Sequence, residues 1–357
     1  MNARVPESAS IDAAPAWQGD EPLRCVQVRQ ETHDVKTFVL QAEPPRRFRH
    51  LPGQFITLAL EIAGAPVNRC YTLSSTPTRP DRASITVKRV PGGVVSNWLH
   101  DQLRVGDRLV ASGPSGRFSC FAHPAERRLF LSGGSGITPL MSMSRALHDL
   151  ASDADVVFVH CARTPGDVLF AGELAQIARE LPHFRVALVC EQRGADAAWS
   201  GYMGRLNAGL LPAIAPDFLE RDVYTCGPAP FMAGVRAMLE TAGYEMQRYR
   251  EESFSFDAAP IDVPAASSDG ADFVVRLSRL GHEFRCGSDE RLLAAAQRAG
   301  LRLPFSCSSG VCGTCKTRKL SGEVEMSHGG GIRPREIEQG FILPCCSRPL
   351  SDVVLDR

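Results

Sequence analysis

Leu129-Phe-Leu-Ser-Gly133-Gly134-Ser135-Gly136-Ile137-Thr138-Pro139 decides how the middle of this chain folds. It reads as a short buried strand, a glycine turn and a first helical turn, where the missing N–H of Pro139 costs nothing. The helix continues over Thr138–Leu150, with Leu140, Met143, Leu147 and Leu150 at helical spacing. Downstream, Asp155–His160, Phe184–Cys190 and Asp222–Thr225 read as further buried strands, with helices at Phe170–Glu180 and Ala229–Ala242. Strands alternating with helices predict a doubly wound parallel sheet, whose ligands sit beyond the carboxyl ends of the strands. A second glycine turn, Thr225-Cys226-Gly227-Pro228, ends the fourth strand at that same edge. The first turn is not the strict G-x-G-x-x-G pattern, so a plain strand-to-helix turn stays open as an alternative. Two turns converging on one edge favour a dinucleotide.

Upstream the rhythm differs. From Leu23 to about Cys120 the chain shows short β-like runs: Leu23–Arg29, Val35–Gln41, Gln54–Leu60, Arg69–Leu73, Ser84–Val90 and Arg108–Ala111. Pro52-Gly53 and Pro91-Gly92-Gly93 punctuate them, and such spacing suggests a small antiparallel barrel. A helix beginning near Ser96, with Trp98, Leu99 and Leu103 as its apolar residues, interrupts it. Gly92-Gly93-Val94-Val95-Ser96 is a glycine-rich entry to that helix, with Ser96 a cap, and such an N-terminus suits a pyrophosphate. In Arg69-Cys70-Tyr71-Thr72-Leu73-Ser74-Ser75, alternation puts Arg69, Tyr71 and Leu73 on one face and Cys70, Thr72 and Ser74 on the other. That pattern alone fits an ordinary barrel strand equally well.

Beyond the sheet, residues 257–269 are rich in Ala, Pro, Ser and Asp, a linker composition. The third segment opens with strands Phe273–Leu277 and Glu283–Cys286 and a helix from Asp289 to about Ala299. Asp289 and Glu290 are placed in its first turn, where the helix dipole favours acids. Five of the chain's twelve cysteines follow, at 307, 312, 315, 345 and 346. Cys307-Ser-Ser-Gly-Val-Cys312-Gly-Thr-Cys315 has C-x4-C-x2-C spacing, and twenty-nine residues separate Cys315 from Cys345. This is the spacing of a plant-type [2Fe–2S] site held by four thiolates. A zinc ribbon would use two short cysteine hooks, and the second is missing. No pair of histidines stands where a Rieske centre would need one. Cys346 competes with Cys345 as fourth ligand, and spacing favours Cys345.

The bulk numbers agree with a globular, multidomain protein. The chain has 357 residues, 44% hydrophobic and 22% charged, with formal net charge zero. That balance gives no electrostatic case for nucleic acid or an anionic membrane. No run of about 18 apolar residues marks a spanning helix. The first twenty residues lack a signal-peptide pattern and read as a disordered tail, so the expected location is the cytoplasm.

Taken in order, these motifs resemble the ferredoxin–NADP reductase superfamily, in its version with a C-terminal plant-type ferredoxin domain. The resemblance covers about residues 21–357 and implies three domains: an antiparallel FAD-binding barrel (21–123), an α/β nicotinamide domain (124–256) and, after a linker (257–271), an α+β β-grasp ferredoxin domain (272–357). In that family R-x-Y-[ST]-x-[ST] binds FAD. The resemblance therefore implies that Arg69 meets the pyrophosphate, Tyr71 packs on the flavin, and Thr72 reaches its edge. It places Lys88 near the flavin and gives the phosphates to Gly93, Val94, Val95 and Ser96. The nicotinamide dinucleotide falls to Gly134, Gly136, Ile137 and Thr138, with Arg163 on the next strand's exit. Cys226 and Gly227 would face the nicotinamide and Phe254 would lie near the flavin. Tyr71, Thr72, Thr138 and Cys226 are the expected catalytic set, and Cys307, Cys312, Cys315 and Cys345 the cluster ligands.

The order flavin, nicotinamide, cluster resembles reductases of multicomponent oxygenases and of the hybrid-cluster protein. Met326-Ser-His-Gly-Gly-Gly-Ile332 and Gly340-Phe-Ile-Leu-Pro-Cys-Cys-Ser-Arg-Pro349 look closest to reductases serving Rieske-type demethylases of quaternary amines such as glycine betaine. The implied activity is hydride transfer from NADH to FAD, followed by single-electron transfer through the cluster to that oxygenase. Reduction of the hybrid-cluster protein, and a stand-alone diaphorase, are the competing readings. NADH is expected over NADPH because only Arg163 stands out after the second strand to meet a 2′-phosphate.

Overall fold

The computed structural model describes residues 15–17, 21–195, 198–254, 272–301, 303, 310, 313, 315–329, 331–332 and 334–357. The tail (but for residues 15–17), the linker, Cys307 and Cys312 lie outside the described residues.

Six antiparallel strands make the first sheet: β1 (Leu23–Thr32), β2 (Val35–Ala42), β3 (Phe55–Ile62), β4 (Ala65–Thr72), β5 (Ala83–Lys88) and β6 (Arg108–Ser115). Their order is β4-β3-β6-β1-β2-β5, and a bridge from Leu73 to Ile85 brings β4 round to β5. Apolar residues at alternate positions fill the interior, including Phe38, Leu40, Ile56, Leu58, Leu73 and Ile85, all fully buried. Helix α1 (Val94–Asp101) closes one end through Val95 and Leu99. It begins before Ser96, with Gly93 as the N-cap residue and no side-chain cap. The Ser96 hydroxyl instead accepts from the Val90 N–H at 3.1 Å, because the preceding turn leaves that donor otherwise unpaired.

The second sheet is parallel: β7 (Arg127–Gly133), α2 (Ile137–Asp149), β8 (Asp155–Ala162), α3 (Ala171–Glu180), β9 (Phe184–Cys190), β10 (Tyr202–Met203), α4 (Leu210–Ile214), β11 (Asp222–Gly227), α5 (Ala229–Thr241) and β12 (Tyr249–Ser253). The strand order is β10-β9-β8-β7-β11-β12. Phe130, Phe158 and Tyr224 pack under α2 and α3 on one face, and Leu129, Leu131, Val157, Val159 and Val223 fill the other. The sequence patterns miss β10 and β12, since β10 is only two residues long and the polar β12 carries no apolar run. At the opposite end of the sheet Arg221 is fully buried, pairing with Asp155 (2.9 Å) and Asp217 (2.8 Å).

The third unit has strands β13 (Asp272–Leu277), β14 (His282–Gly287), helix α6 (Leu292–Arg298), β15 (Thr317–Ser321), β16 (Val324–Met326), helix α7 (Pro334–Glu338), β17 (Phe341–Ile342), β18 (Ser347–Pro349) and β19 (Val353–Leu355). A five-stranded mixed sheet, β14-β13-β19-β15-β17, carries α6 on one face, and β16 pairs with β18. This is a β-grasp arrangement. The expected helix starts late: Arg291 is its N-cap residue, so Asp289 and Glu290 precede it. Glu290 has a different use, an ion pair with Arg298 at 2.6 Å, which lies at the helix's far end.

Candidate functional site

The two glycine turns meet where the sequence placed them. A Cβ on Gly136 would stand 2.3 Å from the Cys226 carbonyl oxygen, and one on Gly227 would stand 2.7 Å from the Phe231 ring and 3.1 Å from the Gly133 nitrogen. Only glycine lets the turn after β7 press on the turn after β11 this closely. Gly134 adopts φ +52° and has open space where a side chain would be. Ile137 and Thr138 are buried in the first turn of α2, and the Thr138 hydroxyl donates to the Ser135 carbonyl at 3.2 Å. Helix α2 has no side-chain cap, and its positive N-terminal end lies at this same edge, which favours an anionic pyrophosphate.

Strand β4 brings the flavin-side residues to this edge. Arg69 and Tyr71 are hydrogen-bonded through their side chains; burial holds the Arg69 guanidinium below its ordinary range and pushes the Tyr71 phenol up. A cation held in a half-desolvated groove suits a phosphate partner. Thr72 points across the domain boundary, its hydroxyl donating to Glu252 Oε2 at 3.4 Å. Glu252 lies on β12 directly opposite Cys226 on β11. Burial pushes the Glu252 carboxyl up to about 8, with the Thr72 hydrogen bond opposing and Cys70 adding to the rise. Burial likewise pushes the Cys226 thiol well above its usual range, and Glu252 reinforces this. Near neutral pH the Thr72–Glu252–Cys226 cluster is therefore an uncharged set of donors and acceptors. Glu252 is absent from the sequence-derived set; its signal was its place in Glu251-Glu-Ser-Phe254, but a carboxylate on an edge strand reads as a solvated surface. Phe254 is half-buried against the same core cluster as Cys226.

Other expected residues stand apart. Lys88 Nζ pairs with Asp34 Oδ2 at 2.7 Å. Burial is the largest single influence on Asp34 and works against its charge, but the Lys88 hydrogen bond and charge, with Thr32 and His33, together hold that carboxyl below its usual range. Arg163 is exposed at the exit of β8, 3.9 Å from the same Asp34 carboxylate. It rims a cavity of about 600 Å³ with His33, Thr164, Asp167, Glu191 and Gln192. Gly93, Val94 and Val95 form the uncapped start of α1, while the Ser96 hydroxyl is spent within its own loop.

In the third unit Cys315 and Cys345 are buried, 3% and 1% exposed, with their thiols in hydrogen-bond contact. That contact and burial push the Cys315 thiol far above its ordinary range. Two apposed, desolvated thiols that resist ionisation alone suit cationic iron, which stabilises thiolates, and the donor set is all sulfur. Cys346 is also buried; its thiol donates to the Leu343 carbonyl at 3.5 Å, and a Cβ on Gly310 would meet its sulfur at 2.6 Å. Cys346 is a packed neighbour of the loop. Gly313 adopts φ +71°, and its Cβ would stand 2.6 Å from the Gly331 carbonyl oxygen, so the loop is folded tightly at both glycines.

Barrel, parallel sheet and β-grasp unit, with these three sites, define a flavin-dependent oxidoreductase that carries its own ferredoxin. Residues 22–120 match the oxidoreductase FAD-binding domain, 130–237 the oxidoreductase NAD-binding domain and 275–350 the 2Fe-2S iron-sulfur cluster binding domain. The chain is 46% identical to a glycine betaine monooxygenase reductase subunit from Pseudomonas aeruginosa (strain UCBPP-PA14), over 95% of each chain. It is 42% identical to a stachydrine N-demethylase reductase subunit from Rhizobium meliloti (strain 1021), covering 95% of this chain and 97% of that one. The solved phthalate dioxygenase reductase superposes with a TM-score of 0.53 at 26% identity, over 94% of this chain and 97% of that one. The chain belongs to this family of FAD- and [2Fe–2S]-containing oxygenase reductases. Among the described residues no helix is long and apolar enough to cross a membrane.

Proposed function

We propose that the chain is the NADH-dependent reductase of a Rieske-type oxygenase that demethylates a quaternary amine of the glycine betaine class. The convergence of Thr72, Glu252 and Cys226 on the edge formed by the two interlocked glycine turns carries the reading. The match along nearly the whole length of two amine-demethylase reductases supports the partner's class.

In this reading Arg69, with the α1 N-terminal turn at Gly93, Val94, Val95 and Ser96, holds the FAD pyrophosphate, and Tyr71 and Phe254 flank the flavin. The α2 start, with Gly134, Gly136, Ile137 and Thr138, holds the dinucleotide. FAD supplies the conversion between a two-electron hydride and single electrons, which a [2Fe–2S] centre requires. Thr72, Cys226 and the protonated Glu252 line the meeting point of the two ligands with neutral polar groups and exclude water from it. Cys307, Cys312, Cys315 and Cys345 hold the cluster. Arg163 shares its cavity with Asp167 and Glu191, whose charges oppose a 2′-phosphate, so the donor is NADH. That donor suits a location in the cytoplasm. The domain limits follow as 21–123, 124–256 and 272–357.

Reconstitution tests the proposal. The purified holoprotein, NADH and an amine-demethylating Rieske oxygenase should release formaldehyde from glycine betaine or a related quaternary amine. Hydroxylamine reduction with the hybrid-cluster protein, and no demethylation with any such oxygenase, would overturn the partner assignment.

A further inference from the structure

A cation of the β-grasp unit is hydrogen-bonded into the backbone beside Cys315. Arg357, just beyond β19, turns its guanidinium back toward the cluster loop. Its Nη2 donates to the Lys316 carbonyl at 3.0 Å and its Nε to the Thr317 hydroxyl at 3.3 Å. That hydroxyl in turn donates to the Cys315 carbonyl at 2.9 Å, and Thr317 is buried. A short chain of hydrogen bonds thus joins the guanidinium to the backbone of a cluster ligand.

The charge there is not neutralised as its neighbours are. Lys316 is paired with Glu336, and Arg279 forms two hydrogen bonds to Asp356, at 2.5 and 2.8 Å. Among the described residues no carboxylate lies within ion-pair distance of Arg357. The side chain is half-buried; burial opposes its charge most, Cys315 favours it, Arg279 opposes it, and Asp356 favours it more weakly. Arginine keeps its proton in such surroundings. A half-buried cation without an ion-pair contact is a costly way merely to staple β19 to β15, since a neutral amide could make the same two bonds.

We propose that Arg357 is a positioning and charge-tuning residue for the [2Fe–2S] centre, raising its affinity for the electron delivered by the flavin. The inference rests on the cluster reading of the third unit. One electron leaves the reduced flavin and enters the cluster, which gains one negative charge. A fixed cation beside the Cys315 backbone favours that product more than the reactant, and its partial burial limits screening by solvent.

The test uses the full-length holoprotein with Arg357→Gln, which keeps hydrogen-bonding capacity, and Arg357→Lys, which keeps the charge. Iron and sulfide content are measured first, then the cluster and flavin midpoint potentials by redox titration followed by electron paramagnetic resonance and absorbance. In Arg357→Gln the electron equilibrium should shift about tenfold from cluster to flavin, a fall of about 59 mV in the cluster's one-electron potential. The flavin's own potential should stay unchanged, and Arg357→Lys should recover most of the difference. Loss of iron in Arg357→Gln, restored in Arg357→Lys, would likewise support the role of charge. An unchanged cluster potential in Arg357→Gln, or equal shifts or iron loss in both variants, would assign Arg357 to packing alone. Iron-free wild-type protein would instead remove the cluster reading on which the proposal stands.

Discussion

Glu252 is the residue whose environment makes the sharpest statement about pH. Its carboxyl is pushed up to about 8 by burial, well above an unperturbed glutamate. A carboxyl raised by folding contributes its full stability below the unfolded value, and that contribution is lost as pH rises through the folded one. Between about pH 5 and 8 the protein should therefore lose stability relative to Glu252→Gln, with a slope of at most about 1.4 kcal/mol per pH unit. Denaturant titrations of both proteins at several pH values measure this directly. Parallel pH profiles would show that the carboxyl is ionised throughout and that the cluster with Thr72 and Cys226 is charged.

At the scale of elements, the interlocked turns after β7 and β11 bear most on function. A methyl group at position 136 has nowhere to go, because the obstacle is the Cys226 and Gly227 backbone rather than a movable side chain. Gly136→Ala should displace one turn from the other and cost about 1 to 3 kcal/mol, as overpacking of a close contact does. If that strain falls on the dinucleotide site, kcat/KM for NADH drops roughly 5- to 150-fold, while FAD content stays full. Steady-state dye reduction and the flavin absorbance of the desalted variant separate the two effects. Gly134→Ala makes a useful comparison, since its space is open but its φ of +52° disfavours a side chain, and its loss should be smaller.

The same turns show what the sequence could and could not reveal. Gly133–Gly136 and Cys226–Gly227 were legible because glycine beside strand and helix signals has few other uses. The cysteine spacing was legible because a metal centre fixes its ligands' separation along the chain. Glu252 and β12 were not: one polar edge strand among many gives no period, and its value comes only from pairing with β11. Ser96 misled for a related reason. Its place three residues into α1 looks like a cap, yet the neighbouring Val90 N–H claims the hydroxyl first. Asp289 and Glu290 likewise matched a helix start that the chain reaches only at Leu292, because Glu290 is drawn to Arg298.

For the molecule as a whole, the apolar clusters are the guide to which losses stay local. The cluster containing Cys315 and Cys345 draws its members only from residues 275–355, whereas Val35 of the barrel joins a cluster otherwise drawn from residues 118–226. Barrel and parallel sheet are further tied by Ser142 donating to the Ser75 carbonyl at 2.6 Å and by Thr72 with Glu252. Removing a cluster ligand should consequently damage the third unit and spare the other two. In Cys315→Ser, iron and sulfide should be lost, FAD should stay bound, and NADH–dye reductase activity should remain within about a factor of 3, since a change of under 1 kcal/mol is all that a distant site transmits. Transfer to an acceptor that takes electrons from the cluster should fall to background. Metal analysis, flavin absorbance and the two activity assays on one preparation decide the matter: if dye reduction falls as far as cluster-dependent transfer, the flavin and nicotinamide sites do not work independently of the ferredoxin unit.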